Sequence, residues 1–158
     1  MERVGVLFVC LGNICRSPAA EGVLRAMAAA RGLTDRVHIE SCGTSGWHAG
    51  EGADPGSVAV AMQRGVDLGA HRASGVPVDR LAEFDFLVCM DRQNRRDMGR
   101  IAPGRDLHLL LDFDPAARRQ EVPDPWARGP AAFEEMYDLI DRACEGLLGQ
   151  ITARLGEP

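Results

Sequence analysis

Val4-Gly5-Val6-Leu7-Phe8-Val9-Cys10-Leu11-Gly12-Asn13-Ile14-Cys15-Arg16-Ser17-Pro18 is the stretch on which the reading of the fold turns. Residues 4–9 are an almost continuous apolar run rich in β-branched side chains, the pattern of a strand buried on both faces. Residues 10–16 form a loop whose Gly12 and Asn13 tolerate left-handed backbone and so allow it to curl tightly. Ser17 offers an N-cap oxygen, and Pro18 suits the first helical position. Val23, Leu24 and Met27 then share one face of a helix that Gly32 stops.

Outward from this unit, the same alternation repeats. Residues 37–41 read as a second strand and 55–64 as a helix ended by Gly65. Residues 85–90 are another buried strand, 93–101 a helix and 107–111 a short strand. Phe133, Met136, Ile140, Cys144, Leu147 and Ile151 follow helical spacing and predict one long closing helix. Alternating strands and helices predict an α/β fold with a parallel sheet covered by helices. Two stretches stay irregular: 43–54, rich in glycine and holding Trp47, and 112–130, with four of the nine prolines. Loops of this length in a compact domain tend to carry function.

At 158 residues and 46% hydrophobic content, residues 1–158 fit a single domain with a single core. The sequence has no apolar run long enough to span a membrane, and its start lacks the pattern of a signal peptide, so a cytoplasmic location is the default expectation. The net charge of -5 argues against a general affinity for nucleic acid or an anionic membrane, though a small basic pocket is still allowed. Five cysteines, an odd number at irregular spacing, predict free thiols in a reducing compartment. Without a CxxC pair or a His pair at zinc-finger spacing, no metal or other cofactor is expected. GxGxxG and GxxxxGK[ST] are absent, which removes the usual support for dinucleotide or Walker-type nucleotide binding.

The loop itself predicts a phosphate site. A short loop closing onto a helix start aims backbone N–H groups inward, and the helix dipole adds positive potential for a dianion. The expected cradle is Leu11, Gly12, Asn13, Ile14, Cys15, Arg16 and Ser17, with Arg16 supplying a planar fork for two phosphate oxygens. The same field favours a thiolate on Cys10, the nucleophilic form of cysteine. Cleavage of a phosphoester also needs a proton donor, and residues alone do not choose among Asp112, Asp114 and Asp124.

Residues 6–18, together with 41–46, Cys89-Met90-Asp91, Asn94 and Asp124-Pro125, resemble low-molecular-weight protein tyrosine phosphatases over nearly the whole chain. The resemblance implies a three-layer fold with a four-stranded parallel sheet and the phosphate loop after the first strand. It implies Cys10 as nucleophile, Arg16 as phosphate clamp and Asp124 as general acid and then base. Asn13, Ser41 and His71 match positions that pin the loop, and Ala73-Ser74-Gly75 departs from the family's usual Ala-Arg-Gln just beyond. Ser17 is read as a donor to the Cys10 sulfur or as a plain helix cap. Asp91 is read as ordering the base of the site or capping the helix that follows. Cys15 is open between oxidative pairing with Cys10 and simple packing. Cys89 and Cys144 read as core, and Cys42 is unassigned.

Trp47 and Trp126 fall where the family lines its pocket mouth, a slot deep enough for phosphotyrosine rather than phosphoserine. Ala127 stands where some members carry a second aromatic, so control by phosphorylation at that position is ruled out. The implied partner is a phosphotyrosine protein, with tyrosine kinases of polysaccharide export suggested by bacterial relatives; monomer and weak homodimer are both open. Related arginine phosphatases tend to carry Thr where this chain has Ile14, which favours phosphotyrosine. Arsenate reductases need two further cysteines in a mobile segment, a poor match to Cys89 and Cys144. A non-enzymatic phosphate-binding or redox-sensing module is the alternative of another class, disfavoured by intact Cys10, Arg16 and Asp124.

Overall fold

A computed structural model describes residues 2–157. Its strands are β1 (Val4–Cys10), β2 (Val37–Gly43), β3 (Phe86–Cys89) and β4 (Leu107–Leu109), and its helices are α1 (Arg16–Ala30), α2 (Pro55–Gln63), α3 (Arg92–Ile101) and α4 (Pro130–Arg154). The sheet has the order β2-β1-β3-β4, and all neighbours run parallel. Every residue of β1 is buried. Because successive side chains of a strand point to opposite faces, β1 feeds two cores. Val4, Val6 and Phe8 pack with α1, α2 and α4 on one face. Leu7 and Val9 pack with Met98 and Ala102, at the end of α3, on the other. Hence β1 reads as unbroken apolar sequence.

The chain leaves β1 through α1 to β2 on one side, whereas β3 pairs with β1 on the other. The loop after β1 therefore lies at the carboxyl ends of the strands where the winding reverses, the position at which open α/β sheets bind ligands. No helix among the described residues is long and apolar enough to cross a membrane.

The structure corrects three boundaries. α1 begins at Arg16, its N-cap is Cys15, and no side chain caps it, so Ser17 and Pro18 lie within the first turn rather than at the cap and first position. β4 stops at Leu109, and Leu110–Phe113 turn into a short 3-10 helix whose Leu110, Leu111 and Phe113 are buried under α4. α4 starts at Pro130, ahead of the apolar repeat that announces it. A further 3-10 segment, Val78–Glu83, has no apolar periodicity to betray it.

The packing of α4 on the 110–113 segment is tightest at Gly146, where an added Cβ would lie 1.8 Å from the Phe113 carbonyl oxygen. Gly146→Ala is expected to lower stability by about 1–3 kcal/mol, the usual cost of overpacking, read as a fall in the denaturant midpoint. An unchanged midpoint would mean that the 110–113 segment yields freely.

Candidate active site

Cys10, the last residue of β1, is 3% exposed. Its Sγ lies 2.9 Å from Ser17 Oγ and accepts from the Asn13 N–H at 3.2 Å. Asn13 is buried and holds φ = 58°, one of two non-glycine residues with positive φ among those described. That left-handed turn curls the loop back on the sulfur, and it is fastened on every side. Asn13 Nδ2 donates to Ser17 Oγ at 2.8 Å and Ser41 Oγ at 3.0 Å; its Oδ1 accepts from Ser74 N at 3.0 Å; its carbonyl oxygen lies 2.8 Å from His71 Nε2. Ser41 Oγ in turn donates to Glu21 Oε1 at 2.5 Å. Ser17 Oγ receives from Asn13, and its one proton has two acceptors in reach, the Cys42 carbonyl at 3.4 Å and the nearer Cys10 sulfur, where it would stabilise a thiolate. The first N–H groups of α1 are thus not taken by a capping side chain, because the hydroxyl beside them serves the sulfur.

Arg16 is 4% exposed. Its Nη1 donates to Asp91 Oδ2 at 2.8 Å and to the Val122 carbonyl at 2.9 Å. The Nε–Nη2 edge makes no hydrogen bond to the described residues, leaving a fork for two oxygens of a ligand. Burial opposes the charge of Arg16, but Cys10, Asp91 and Asp124 outweigh it and hold its pKa above the ordinary value. Asp91 fills both readings at once. One oxygen holds Arg16, and the other accepts from Asn94 N at 2.8 Å in a reciprocal capping box at the start of α3.

Asp124 stands over the loop with its side chain half exposed; Oδ2 lies 4.0 Å from Arg16 Nη2, and Oδ1 accepts from Trp126 N at 3.1 Å. The chain then turns through Ala127 at φ = 60°, with Arg128 N donating to Pro125 O. Asp112 and Asp114 belong to the 3-10 segment and its C-cap, on another part of the chain. Cys10, Leu11, Gly12, Ile14, Cys15, Arg16, Ser45, Trp47, His48, Asp124 and Trp126 enclose a cleft of about 430 Å³. Trp47 and Trp126 form exposed walls, at 84% and 60%.

The remaining thiols are buried and held protonated. Burial, then the nearby Asp54 and Asp124 charges, push the Cys15 pKa up, and burial does the same for Cys42 and Cys144 and raises Cys89 to about 12. Cys42 joins Cys89 in the core on the α3 face. Tyr137 is fully buried against Ser57, its pKa raised by burial to about 12. One group of possible metal ligands converges among the described residues, His38, Glu40 and Glu83, where Arg80 is ion-paired to both carboxylates. It lies toward the other end of the sheet from Cys10, since His38 is in register with Gly5.

The family model for low molecular weight phosphotyrosine protein phosphatase matches residues 5–156. The chain belongs to that family. Among phosphatases of this family, one named low molecular weight protein-tyrosine-phosphatase from Streptomyces coelicolor is 41% identical over 152 residues, covering 92% of each chain. The crystal structure of YfkJ from Bacillus subtilis superposes at a TM-score of 0.91 with 34% identity over 98% of each chain. A structure titled as a Drosophila arginine phosphatase matches at a TM-score of 0.84 with 26% identity, over 92% of this chain and 96% of that one. The relatives named protein-tyrosine phosphatases are phosphoric monoester hydrolases.

Three residues that sequence reasoning does not place at the site stand there, Ser45 and His48 in the cleft wall and Ser74 on Asn13. All three reach it from loops with no local pattern. The bracing of Asn13 can be tested directly. Asn13→Ala strands the backbone in a left-handed turn and removes three side-chain bonds, so vanadate affinity should fall at least about tenfold, given the cost of leaving buried donors and acceptors unmet. Asn13→Gly, which relieves only the backbone, should fall between the two. Equal affinity in all three proteins would show that the loop keeps its shape without Asn13.

Proposed function

We propose that this chain hydrolyses phosphotyrosine in proteins through a cysteinyl-phosphate intermediate. The observation that carries the reading is the convergence, in one cleft, of Cys10 Sγ, the Nε–Nη2 edge of Arg16 and Asp124 Oδ2. In the first step the Cys10 thiolate attacks phosphorus and the bond to the phenolic oxygen breaks, while Asp124 gives that oxygen its proton. In the second, Asp124 takes a proton from water, the water oxygen attacks phosphorus, and the S–P bond breaks to release phosphate and the thiolate. Arg16 and the loop N–H groups hold the equatorial oxygens as charge spreads over them. The Ser17 hydroxyl stabilises the departing thiolate.

Trp47 and Trp126 supply walls for a phenyl ring, which selects the long reach of phosphotyrosine over phosphoserine. A cytoplasmic setting, which would keep all five thiols reduced, fits a thiolate enzyme. Phosphoarginine is the second reading, favoured by the likeness to the arginine phosphatase and opposed by Ile14 in the cleft. A thiol relay of the arsenate-reductase kind is opposed by Cys89 and Cys144, both fully buried in regular elements.

Cys10→Ser is expected to abolish turnover while phosphate still binds; hydrolysis by that variant would sink the covalent route. Asp124→Ala should cost about 10²–10⁴ in kcat on an aryl ester with a poor leaving group, and an unchanged rate would move the acid elsewhere. Arg16→Lys keeps the charge but loses the fork; if it held vanadate as well as the parent, Arg16 would not be the clamp. The ratio of kcat/KM on matched phosphotyrosine and phosphoarginine peptides decides between the two substrates.

A further inference from the structure

We infer that His48, oriented by Glu51, accepts a hydrogen bond from a peptide N–H of the phosphotyrosyl segment, so that the site recognises phosphotyrosine within a chain. The inference rests on the hydrolytic reading above.

The segment that carries His48 is rigid. Ala49 N donates to Gly46 O and Glu51 N to His48 O, while Gly50 N and Glu51 O pair with the backbone of Ala73 at 2.8 Å each. From this platform the imidazole lies across the phosphate loop. A Cβ on Gly12 would sit 3.0 Å from His48 Cδ2 and 3.7 Å from Nε2, so the Cδ2–Nε2 edge covers Gly12 and the loop needs glycine there. The opposite edge is held by Glu51, whose Oε2 lies 2.7 Å from Nδ1. A carboxylate accepts, so Nδ1 carries the proton, and an uncharged imidazole presents its lone pair on Nε2. Nε2 has no protein partner among the described residues.

A phosphotyrosine whose phosphate sits in the loop leaves its own backbone at the cleft mouth. The other polar side chains of the cleft already have local partners. Ser45 Oγ accepts from Trp47 N, and Asp124 Oδ1 from Trp126 N. Asp124 Oδ2 faces Arg16 and is assigned to the leaving oxygen. Tryptophan offers only an N–H donor. Among these side chains His48 Nε2 is an acceptor with no partner among the described residues, and the exposed Leu11 and Trp47 beside it give the flanking residues an apolar bed.

The test is a cycle between His48 and a single amide of the substrate. Phosphotyrosyl peptides are compared with analogues in which an ester replaces the amide at phosphotyrosine or at the following residue. In the wild-type enzyme, one of the two esters should lower kcat/KM about 2- to 10-fold through KM, the range for one neutral hydrogen bond. In His48→Ala the same ester should cost nothing further. His48→Gln, whose amide oxygen reaches a similar point, should recover part of the discrimination, and Glu51→Ala should lose part of it by freeing the tautomer. If the ester penalty persists in His48→Ala, or if that variant loses as much on p-nitrophenyl phosphate as on the peptide, His48 only packs on Gly12 and the inference is overturned. A wild-type protein with no turnover of p-nitrophenyl phosphate overturns the hydrolytic reading itself, and the inference with it.

Discussion

The buried ion pair between Arg16 and Asp91 is the interaction on which the site depends. A guanidinium that is 4% exposed keeps its charge, so burying it is costly unless it is paired, and Asp91 is available because β1 and β3 are neighbours whose carboxyl ends meet. The same Asp91 starts α3, and the same Arg16 holds the Val122 carbonyl two residues before Asp124. Strand order, the start of one helix and the placement of the loop over the cleft are thereby joined through two side chains. The fixed edge of Arg16 orients the free one, so a ligand meets a donor fork already in position.

On the sulfur side the contacts are neutral hydrogen-bonding groups. Cys10 Sγ accepts the Asn13 N–H and lies against the Ser17 hydroxyl, both placed by the turn at Asn13. The other four thiols are held protonated because burial raises the pKa of each. Cys15, in the same loop and as buried as Cys10, lacks the contacts with the Asn13 N–H and the Ser17 hydroxyl that surround the Cys10 sulfur.

What the sequence disclosed follows from the range of each signal. β1 and β3 could be read because a strand covered on both faces is apolar without interruption, and α4 because its buried face repeats at helical spacing over 25 residues. The cysteine and arginine of the phosphate loop stand beside those signals in the chain. Ser17 misled because a hydroxyl before Pro18 looks like a cap; its actual partners, Cys10 Sγ and Asn13 Nδ2, are set by the loop's curl. The end of β4 misled because Leu110 and Leu111 are buried beneath α4 and look like strand to an apolar count. His48, Ser74 and the left-handed Ala127 act through contacts or turns that no local spacing encodes.

The anchoring of Asn13 has a consequence for how such a site could be moved between proteins. Its partners Ser41, His71 and Ser74 come from β2 and from the segment beyond α2, and the segment carrying His48 is pinned to Ala73 of that same stretch. The heptapeptide that begins at Cys10 is short in sequence but is held in shape by groups dozens of residues away. Grafted alone onto another strand and helix, it would carry Cys10 and Arg16 and lose the frame that orients them; because Arg16 also leans on Asp91 and the Val122 carbonyl, the smallest transferable unit is the whole domain.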